Sequence, residues 1–513
     1  MSSERLLYEH TDLIESSLGD SGIKVSEQYI LALHAEQSQK SSFFSYCFPT
    51  STPSFIDQIP YRNILWCSVL GDGGSNQDEL ELVYVSPRHK KSVEIKTIHI
   101  QIKGPLHEQT SAQQLVDHIL SKSYKNHIVS PSILVIINPH GGRGEAVQVY
   151  QKDILPVLTA ANAKISYVET EYSQHAVEIA RTMDIEKYDI IACCSGDGIP
   201  HEVINGFFKR EDRGVKAFNK IAVTQLPCGS GNAFSLSTHG SNDASLATFH
   251  MLKAHRTKLD LMAVTQGVGS RKSTKLSFLS QCYGIIADSD IGTEHLRWMG
   301  PIRFDLGVAQ RVIQRSKYPC DVYVEYVTRS KKDIVDHFDS HYSRNEGFVD
   351  FERESMPYEL PLITENDLEV SGPELNQPPP ASWTKLAESV SKNLNILYVG
   401  KMPYISNDVQ FFPAALPNDG TMDMIVTDTN TSIIETTSIL SSLDRGLHVH
   451  NEKVHHSKIL SYRLAPRLSN PKNHYISVDG ESFPFEPLQV EVLPGILTSL
   501  LQDGKYVETC FTK

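Results

Sequence analysis

Apolar runs divide the chain into three regions of different texture. Up to about residue 127, strand-like runs occur at Asn63 to Leu70, Glu79 to Val85 and Val93 to Ile102. The last run alternates apolar and polar side chains from Ile98 to Ile102, the period-two signature of a half-buried strand. These runs predict an N-terminal β-rich accessory module over residues 1–127, with a partly disordered start.

From Ile133 onward, apolar runs alternate with loops and stretches of helical period. Apolar strands that alternate with helices predict a parallel, Rossmann-like sheet covered on both faces. We expect this α/β nucleotide-binding domain over residues 128–257. Its four predicted strands are Ile133 to Ile137, Lys164 to Glu169, Tyr188 to Cys194 and Ile221 to Leu226, with helices after Ser173 and near Pro200.

After about residue 257 strand-like runs dominate again. They predict an antiparallel β-rich sandwich domain over residues 258–513, with an acidic insertion at about 331–391. That insertion contains Pro378, Pro379 and Pro380, and its composition favours disorder or a surface loop. The predicted strands include Leu259 to Val264, Leu276 to Tyr283, Val322 to Val327 and Ile396 to Val399.

Composition narrows the class of protein. The 513 residues carry a formal net charge of -13, which disfavours nucleic-acid binding. No apolar run approaches the ~20 residues of a spanning helix, and the N-terminus lacks a signal peptide's pattern. The eight cysteines show no metal-ligand spacing. These features favour a soluble or peripheral protein of a reducing, intracellular compartment. The expected location is the cytoplasm, with peripheral association with intracellular membranes such as Golgi, endoplasmic reticulum or plasma membrane.

Three of the predicted parallel strands end in glycine-rich loops. These loops are Asn138 to Gly144, Ser195 to Gly198 and Gly229 to Asn232. Ligands of parallel α/β sheets bind at the carboxyl ends of strands, and glycine lets backbone amides approach a phosphate. Only the middle loop carries a central carboxylate, Asp197. The other two are equally compatible with ordinary tight turns, and none matches a P-loop.

Context separates the Asp197 loop from a near copy of it. Gly71-Asp72-Gly73-Gly74 also follows an apolar run, but a second strand comes after it, which favours a hairpin connection. Ser195 to Gly198 instead precedes Pro200 and Glu202, which together are typical of a helix start.

The segment Ser195-Gly-Asp-Gly-Ile-Pro-His-Glu-Val-Ile-Asn-Gly206 resembles the signature of the diacylglycerol kinase catalytic superfamily, and especially its sphingosine kinase branch. Ile59 to Trp66 resembles fungal and plant members of that branch. The resemblance spans roughly residues 60 to 510. Four further blocks follow the family's order: Ile136 to Gly144, Leu226 to Ala233, Gly284 to Gly307 and Ser477 to Phe485.

The resemblance implies an ATP-dependent lipid kinase that uses Mg²⁺, with Asp197 as general base. His140 and Arg143 depart from the family, which often has Arg and Lys there. Taken alone, Arg297 and Arg303 are ordinary surface charges and Asp479 to Glu481 is a generic turn. The implied nucleotide-binding residues are Asn138, Pro139, His140, Gly141, Gly142, Thr170, Glu171, Tyr172, Ser173, Gln174, Glu202, Gly229, Ser230, Gly231, Arg297, Arg303, Asp479, Gly480 and Glu481.

The resemblance also implies a sphingoid-base substrate. Asp290 stands where the sphingosine kinase branch has a substrate-binding aspartate, and a carboxylate there would pair with the ammonium of a sphingoid base. The alternative is that Asp288 or Asp290 only caps a helix running to Trp298. The expected substrate-binding residues are Ser195, Gly196, Asp197, Gly198, Ser280 and Asp290.

Several alternatives remain open on the sequence. A kinase acting on ceramide or diacylglycerol would share these motifs, and only Asp290 argues against it. A non-catalytic lipid-binding protein would keep the fold. A soluble NAD kinase would share a Gly-Gly-Asp-Gly loop, but the large β-rich half and the Asp290 block count against it. The apolar cluster Phe43 to Phe48 fits either an interfacial site or buried packing.

Overall fold

The structure is a computed structural model that describes residues 21–25, 29–34, 55–70, 78–89, 91–102, 112–125, 127–142, 144–293, 302–346, 360–468 and 472–512. The chain forms two compact units. The first comprises residues up to Ser130 with Ile154–Lys164, and the second comprises Pro131–Asp153 with Ile165–Lys513. In the described part of the chain, no helix combines the length and the apolar character needed to span a bilayer.

The first unit is β-rich, as predicted. Its strands form two antiparallel three-stranded sheets, β1-β2-β3 and β4-β5-β6. The alternation predicted for Ile98 to Ile102 lies within β6. The unpredicted helix α1 buries Leu115 and Ile119 against this β-rich core. The elements are β1 (Ser21–Val25), β2 (Tyr29–His34), β3 (Phe55–Pro60), β4 (Ile64–Leu70), β5 (Asp78–His89), β6 (Ser92–Ile102) and α1 (Ala112–Tyr124).

Two features singled out in this region, Phe43 to Phe48 and Gly71 to Gly74, lie outside the described residues. The strands on either side of the second, β4 and β5, pair antiparallel, with Leu70 opposite Glu79.

The α/β part contains the predicted sheet, with strand order β10-β9-β7-β8. Strands β7 and β10 both run parallel to β9, whose six residues are all buried. Burial on both faces explains the continuous apolar runs of these strands. The elements are β7 (Ser132–Ile137), α2 (Ala146–Val149), α3 (Leu155–Ala160), β8 (Lys164–Glu169), α4 (His175–Thr182), β9 (Ile190–Ser195), α5 (Gly198–Phe208), α6 (Val215–Lys220), β10 (Ala222–Pro227), α7 (Ala233–His239) and α8 (Ala244–Leu252).

The C-terminal half forms one 11-stranded sheet with antiparallel pairing, which confirms the predicted β-rich class. Its strands are β11 (His255–Gln266), β12 (Ser273–Ser277), β13 (Ser280–Gly284), β14 (Cys320–Thr328), β15 (Thr384–Lys385), β16 (Leu394–Gly400), β17 (Met422–Asp428), β18 (His455–Pro466), β19 (Ile476–Val478), β20 (Glu481–Phe483) and β21 (Leu488–Leu501). Its helices are α9 (Ile285–Asp290), α10 (Ile302–Ile313), α11 (Lys331–Glu346), α12 (Glu388–Ser391) and α13 (Ile433–Leu440).

The single strand predicted from Leu276 to Tyr283 is wrong. Two strands, β12 and β13, occupy this stretch, and the chain between them turns at Phe278 and Leu279. Both residues are buried, so their apolar character made the run look continuous.

The expectation of a disordered or surface-loop insertion at 331–391 is wrong for residues 331–346, which form helix α11, whereas residues 361–383 form a mostly exposed segment with little regular structure. Helix α11 buries Ile334 and Phe338 against Ala414 and Leu416. Further along, the Arg463 guanidinium donates hydrogen bonds to the carbonyls of Pro373, Glu374 and Gln377. A few anchoring residues therefore order a segment whose average composition is polar. Residues 347–359 lie outside the described part of the chain.

One hydrophobic core spans the α/β part and the large sheet. It contains Ile136 and Phe234 from the first and Leu261 and Leu497 from the second. Strand β21 of the large sheet also bonds to the α/β part, since the hydroxyls of Thr498 and Ser499 donate to backbone carbonyls there. The two domains predicted on either side of residue 257 thus belong to one compact unit, which sets the loops of one beside the strands of the other.

A buried network of charges lies within the large sheet. The Lys401 ammonium donates to Asp260 Oδ2 at 2.8 Å and to Asp419 Oδ1 at 2.7 Å. Lys458 donates to Asp419 Oδ2 at 3.1 Å and to Asp423 Oδ2 at 2.8 Å. Although burial raises the pKa of Asp419, the two ammonium groups hold that pKa well below its usual value. Each buried charge is therefore paired.

Candidate active site

The three glycine-rich loops meet at the carboxyl edge of the parallel sheet. A Cβ atom on Gly229 would lie 2.3 Å from the backbone nitrogen of Gly196, and one on Gly196 would lie 2.9 Å from the Gly231 carbonyl oxygen. Gly142 has a φ of +59°, and its Cβ would lie 3.1 Å from the Ser230 nitrogen. Such contacts exclude larger side chains, so glycine is required where the loops touch.

Asp197 is buried at the junction of these loops. Its Oδ2 accepts a hydrogen bond from the Ala233 amide and its Oδ1 one from the Phe234 amide, both at 3.1 Å. Burial raises the pKa of Asp197 to about 6, although the two amide bonds oppose the shift and the nearby charge of Asp479 adds to it. The carboxyl group is thus fixed in orientation and more basic than a solvent-exposed aspartate.

Helix α5, which begins directly after Asp197, is tied to a distant segment through His201. The His201 Nδ1 atom lies 2.8 Å from Asp479 Oδ2. Asp479 Oδ1 accepts from the Ser277 hydroxyl at 2.6 Å and from the amides of Leu279 and Ser280 at 3.0 and 2.9 Å. The Phe278 amide donates to Asp479 Oδ2 at 3.1 Å. Asp479 therefore holds the turn between β12 and β13 beside the Asp197 helix.

The segment after strand β8 lies beside the first glycine loop. The Thr170 amide donates to the Ile137 carbonyl at 2.8 Å, next to Asn138. Glu202 Oε1 and Oε2 accept from the amides of Gln174 and Ala176, each at 3.1 Å. The Glu202 carboxylate was expected to face the nucleotide, and in the structure both of its oxygens hold this segment at the start of α4.

Two further residues of the predicted nucleotide site lie near the Asp197 loop. Asn138 donates its backbone amide to the Cys194 carbonyl at 3.2 Å, which ties the first loop to strand β9. Glu481 is exposed, and its Oε1 lies 3.4 Å from where a Cβ on Gly198 would stand. The charge of Glu481 also contributes, after burial, to a raised pKa of Glu202. An exposed carboxylate thus borders the loop.

The two aspartates of helix α9 have different surroundings. Asp288 is buried and accepts hydrogen bonds from the Tyr318 hydroxyl at 2.8 Å and the Tyr475 amide at 2.9 Å, and its Oδ2 lies 2.8 Å from His474 Nδ1. The residue before this helix, Gly284, is its N-cap and makes no side-chain cap bond. Neither aspartate therefore caps the start of the helix.

Asp290 is half-buried at the end of the same helix. After burial, the charge of Asp290 is the largest influence that raises the pKa of the Cys282 thiol on strand β13. On that strand Ser280 lies with its hydroxyl 3.4 Å from the Tyr398 hydroxyl. Asp290 and Ser280 thus border the same part of the large sheet.

The predicted arginines are only partly described. Arg297 and Arg143 lie outside the described residues, and of Arg303 only the backbone, in helix α10, is described. Conversely, sequence reasoning did not single out His201 or His175. His201 could have been found from the sequence, because it lies within the Ser195 to Gly206 segment, four positions after Asp197 on the following helix.

Comparison with known proteins agrees with this architecture. Residues 132–264 match the Diacylglycerol kinase catalytic domain, residues 387–501 the YegS C-terminal NAD kinase beta sandwich-like domain, and residues 22–125 a Domain of unknown function, DUF7493. A solved diacylglycerol kinase from Bacillus anthracis str. Sterne aligns with a TM-score of 0.46 and 18% identity, over 72% of this chain and 97% of that chain. The match over residues 132–264 is to the catalytic domain of a class of lipid kinases.

Similar curated proteins narrow the class. Sphingoid long chain base kinase 5 of Saccharomyces cerevisiae is 44% identical over 84% of this chain and 68% of its own length. Sphingoid long chain base kinase 4 of Schizosaccharomyces pombe is 31% identical over 95% of this chain and 98% of its own. Sphingosine kinase 1 of Arabidopsis thaliana is 30% identical over 70% and 71%. The chain belongs to the sphingoid long chain base kinase family.

Proposed function

We propose that this chain transfers the γ-phosphoryl group of ATP to the primary hydroxyl of a sphingoid long-chain base, giving the 1-phosphate and ADP. The proposed substrates are sphingosine, dihydrosphingosine and phytosphingosine. The observation that carries the proposal is Asp197, a buried carboxylate with a pKa of about 6 at the meeting point of three glycine loops.

Asp197 acts as the general base. The lipid hydroxyl oxygen forms a bond to the γ-phosphorus, the bond from that phosphorus to the β,γ-bridging oxygen breaks, and the hydroxyl proton passes to Asp197. Each carboxylate oxygen accepts only one backbone amide, which leaves lone pairs for the incoming proton. A base whose pKa lies near the working pH is efficient because it is ionised yet still basic.

Backbone amides of the Asn138 to Gly142 and Gly229 to Gly231 loops bind the nucleotide phosphates. Phosphoryl transfer needs positioning and charge neutralisation more than covalent help, which suits closely packed glycine loops. Mg²⁺, when bound, would neutralise the phosphate charge. It takes most of its ligands from phosphates and water. Glu481, whose exposed carboxylate borders the Asp197 loop, is a residue that could contact the ion.

Asp290 recognises the ammonium group of the sphingoid base. Asp288, two residues earlier, is buried and contacts Tyr318, His474 and Tyr475. Asp290 is half-buried beside strand β13, where Ser280 also lies, so it has the partial exposure that a ligand contact needs. Ceramide, whose nitrogen is an uncharged amide, would leave this carboxylate poorly paired.

The substrate chemistry implies contact with a membrane surface. A sphingoid base is amphipathic and resides in a bilayer, so the enzyme must meet that bilayer at its surface. We infer peripheral association with intracellular membranes, with the protein otherwise cytoplasmic.

A lipid panel with labelled ATP tests the proposal. Wild-type protein should phosphorylate the three sphingoid bases and leave ceramide and diacylglycerol unlabelled. Asp197→Asn should keep the fold, although it loses one of the two amide bonds to this side chain, and should lose turnover. Phosphorylation of ceramide but not of free sphingoid bases would overturn the role of Asp290. Turnover that survives Asp197→Asn would overturn the base assignment, and a wild-type protein that binds these lipids without labelling them would be a non-catalytic lipid binder.

A further inference from the structure

An aromatic pair stands exposed at the carboxyl edge of the parallel sheet. The rings of Tyr172 and His175 are stacked, with centroids 4.5 Å apart and planes at 19°. Tyr172 is nevertheless 54% exposed. His175 covers one face of the tyrosine ring, so the exposure of Tyr172 arises from the rest of the side chain.

Local hydrogen bonds orient both rings of the pair. The Tyr172 hydroxyl donates to Glu178 Oε2 at 2.7 Å, and the Glu171 amide donates to His175 Nδ1 at 3.1 Å. The bond to Glu178 also raises the pKa of Tyr172, so the hydroxyl stays protonated. Because these bonds fix the ring, a ligand that stacks on it would pay little entropy to order it.

The backbone that carries the pair is also fixed. Gln174 adopts a φ of +69°, and the Glu202 carboxylate binds the amides of Gln174 and Ala176 on either side of His175. Glu202 belongs to α5, the helix that begins just after Asp197. The position of the aromatic pair is thus coupled directly to the Asp197 loop.

The location of the pair relative to the phosphate loops follows from the sheet. Thr170, two residues before Tyr172, is bonded to Ile137 at the end of β7, where the Asn138 loop starts. A nucleotide whose phosphates lie on that loop extends its base along the carboxyl edge of the sheet. Strand β7 lies between β9 and β8, so the segment that carries Tyr172 flanks the Asn138 loop on the side away from the Asp197 loop.

We propose that Tyr172, backed by His175, is the stacking platform for the adenine base of the nucleotide. The inference rests on the proposed ATP-dependent function and adds the residue that binds the base. Stacking on an aromatic ring tolerates any purine. The platform therefore contributes affinity for ATP and GTP alike and does not act on the phosphates.

Nucleotide binding measured without lipid turnover tests this inference. The experiment displaces a fluorescent ADP analogue with unlabelled ADP, and in parallel with inorganic tripolyphosphate, which has no base. Tyr172→Ala should raise the ADP competition constant roughly 5- to 100-fold, the range that loss of base stacking gives. The tripolyphosphate constant should stay unchanged, and Tyr172→Phe should retain wild-type affinity for ADP because its ring remains.

Tyr167 provides a matched control on the preceding strand. It is 63% exposed and its ring lies 5.8 Å from that of Tyr150, so Tyr167→Ala removes an equally exposed ring away from the pair. This variant should bind ADP like wild type. Unchanged ADP affinity in Tyr172→Ala would overturn the platform, as would an equal loss of ADP and tripolyphosphate binding. Wild-type protein that binds ADP normally but phosphorylates no sphingoid base would refute the proposed function and leave the platform standing.

Discussion

His201 Nδ1 and Asp479 Oδ2 lie 2.8 Å apart although 278 positions separate the two residues in the chain. His201 belongs to the helix that follows Asp197, and Asp479 belongs to the turn before β20. The same carboxylate binds the amides of Phe278, Leu279 and Ser280. One buried side chain therefore aligns the helix of the proposed base with the strand that borders Asp290.

Asp479→Ala should destabilise the protein strongly. The change leaves three backbone amides, the Ser277 hydroxyl and His201 without their acceptor, and each buried unsatisfied group costs about 1–3 kcal/mol. We expect the free energy of unfolding, measured in urea, to fall by at least about 3 kcal/mol. Glu481→Gln, an exposed site two residues away, should leave that free energy unchanged. An Asp479→Ala protein as stable as wild type would show that these bonds contribute nothing.

The rate of phosphoryl transfer should depend on pH through Asp197. The pKa of Asp197 is raised to about 6, so the carboxylate becomes protonated, and unable to accept a proton, as the pH falls through 6. We expect kcat/KM for the sphingoid base to fall about tenfold between pH 7 and pH 5, with a midpoint near 6. A flat profile down to pH 4.5 would contradict Asp197 as the base.

The same pKa carries a stability consequence of defined sign. A folded-state pKa above the ordinary value of 3.8 means that the native state binds the proton more tightly than the unfolded chain does. Asp197 therefore lowers the free energy of unfolding as the pH rises from about 4 to about 6. Asp197→Asn should remove this contribution, which comparison of wild-type and variant unfolding curves at pH 4, 5 and 6 would reveal.

Asp290→Asn should weaken binding of the sphingoid base, whereas Asp288→Asn should lower the stability of the fold. A charge-assisted hydrogen bond is worth about 1.5–3 kcal/mol, so Asp290→Asn should raise KM for sphingosine roughly 10- to 100-fold with little change in unfolding. Asp288→Asn disturbs a buried carboxylate that binds Tyr318, His474 and Tyr475, so it should lower stability first. If both variants show wild-type KM for sphingosine, Asp290 does not bind the ammonium group.

Lys401→Met should lower the free energy of unfolding, because it breaks the buried charge network. It leaves Asp260 and Asp419 without the ammonium that they share, and breaking a buried pair typically costs about 3–5 kcal/mol. Denaturant unfolding measures this loss. Lys392→Met is a matched control, because Lys392 is exposed. This change removes only its ion pair with Glu388, in which Nζ lies 3.7 Å from Oε1. Equal stability of the two variants would be the contrary result.

The hydrophobic pattern of the sequence was sufficient to locate strands that are buried along their whole length. The predicted strands Ile133 to Ile137, Tyr188 to Cys194 and Ile221 to Leu226 match β7, β9 and β10 within two residues at each end. The strand predicted from Lys164 to Glu169 also agrees with β8, although β8 is mostly exposed. Parallel strands buried on both faces leave continuous apolar runs that the sequence displays directly. The strand-to-helix context of Asp197 was predictable for the same reason.

Long-range hydrogen bonds account for what the sequence did not disclose. The break between β12 and β13 is held by Asp479, about 200 positions away, so the apolar run at 276–283 gave no sign of it. Asp288 and Asp290 are the same residue type two positions apart, and only their contacts distinguish them. Likewise, the order of α11 depends on Ala414 and Leu416, which local composition cannot reveal.

Strand β21 has a consequence for how the enzyme is made in the cell. Its Thr498 hydroxyl donates to the carbonyl of Phe218, 280 positions earlier, and its Ser499 hydroxyl donates to the carbonyl of Val223. At ribosomal rates of about 5–20 residues per second, the nucleotide-binding half waits on the order of tens of seconds for this strand to be synthesised. During that interval the apolar side chains that pack on Leu497 and Leu501 lack these partners, so this core is completed only after β21 has been synthesised.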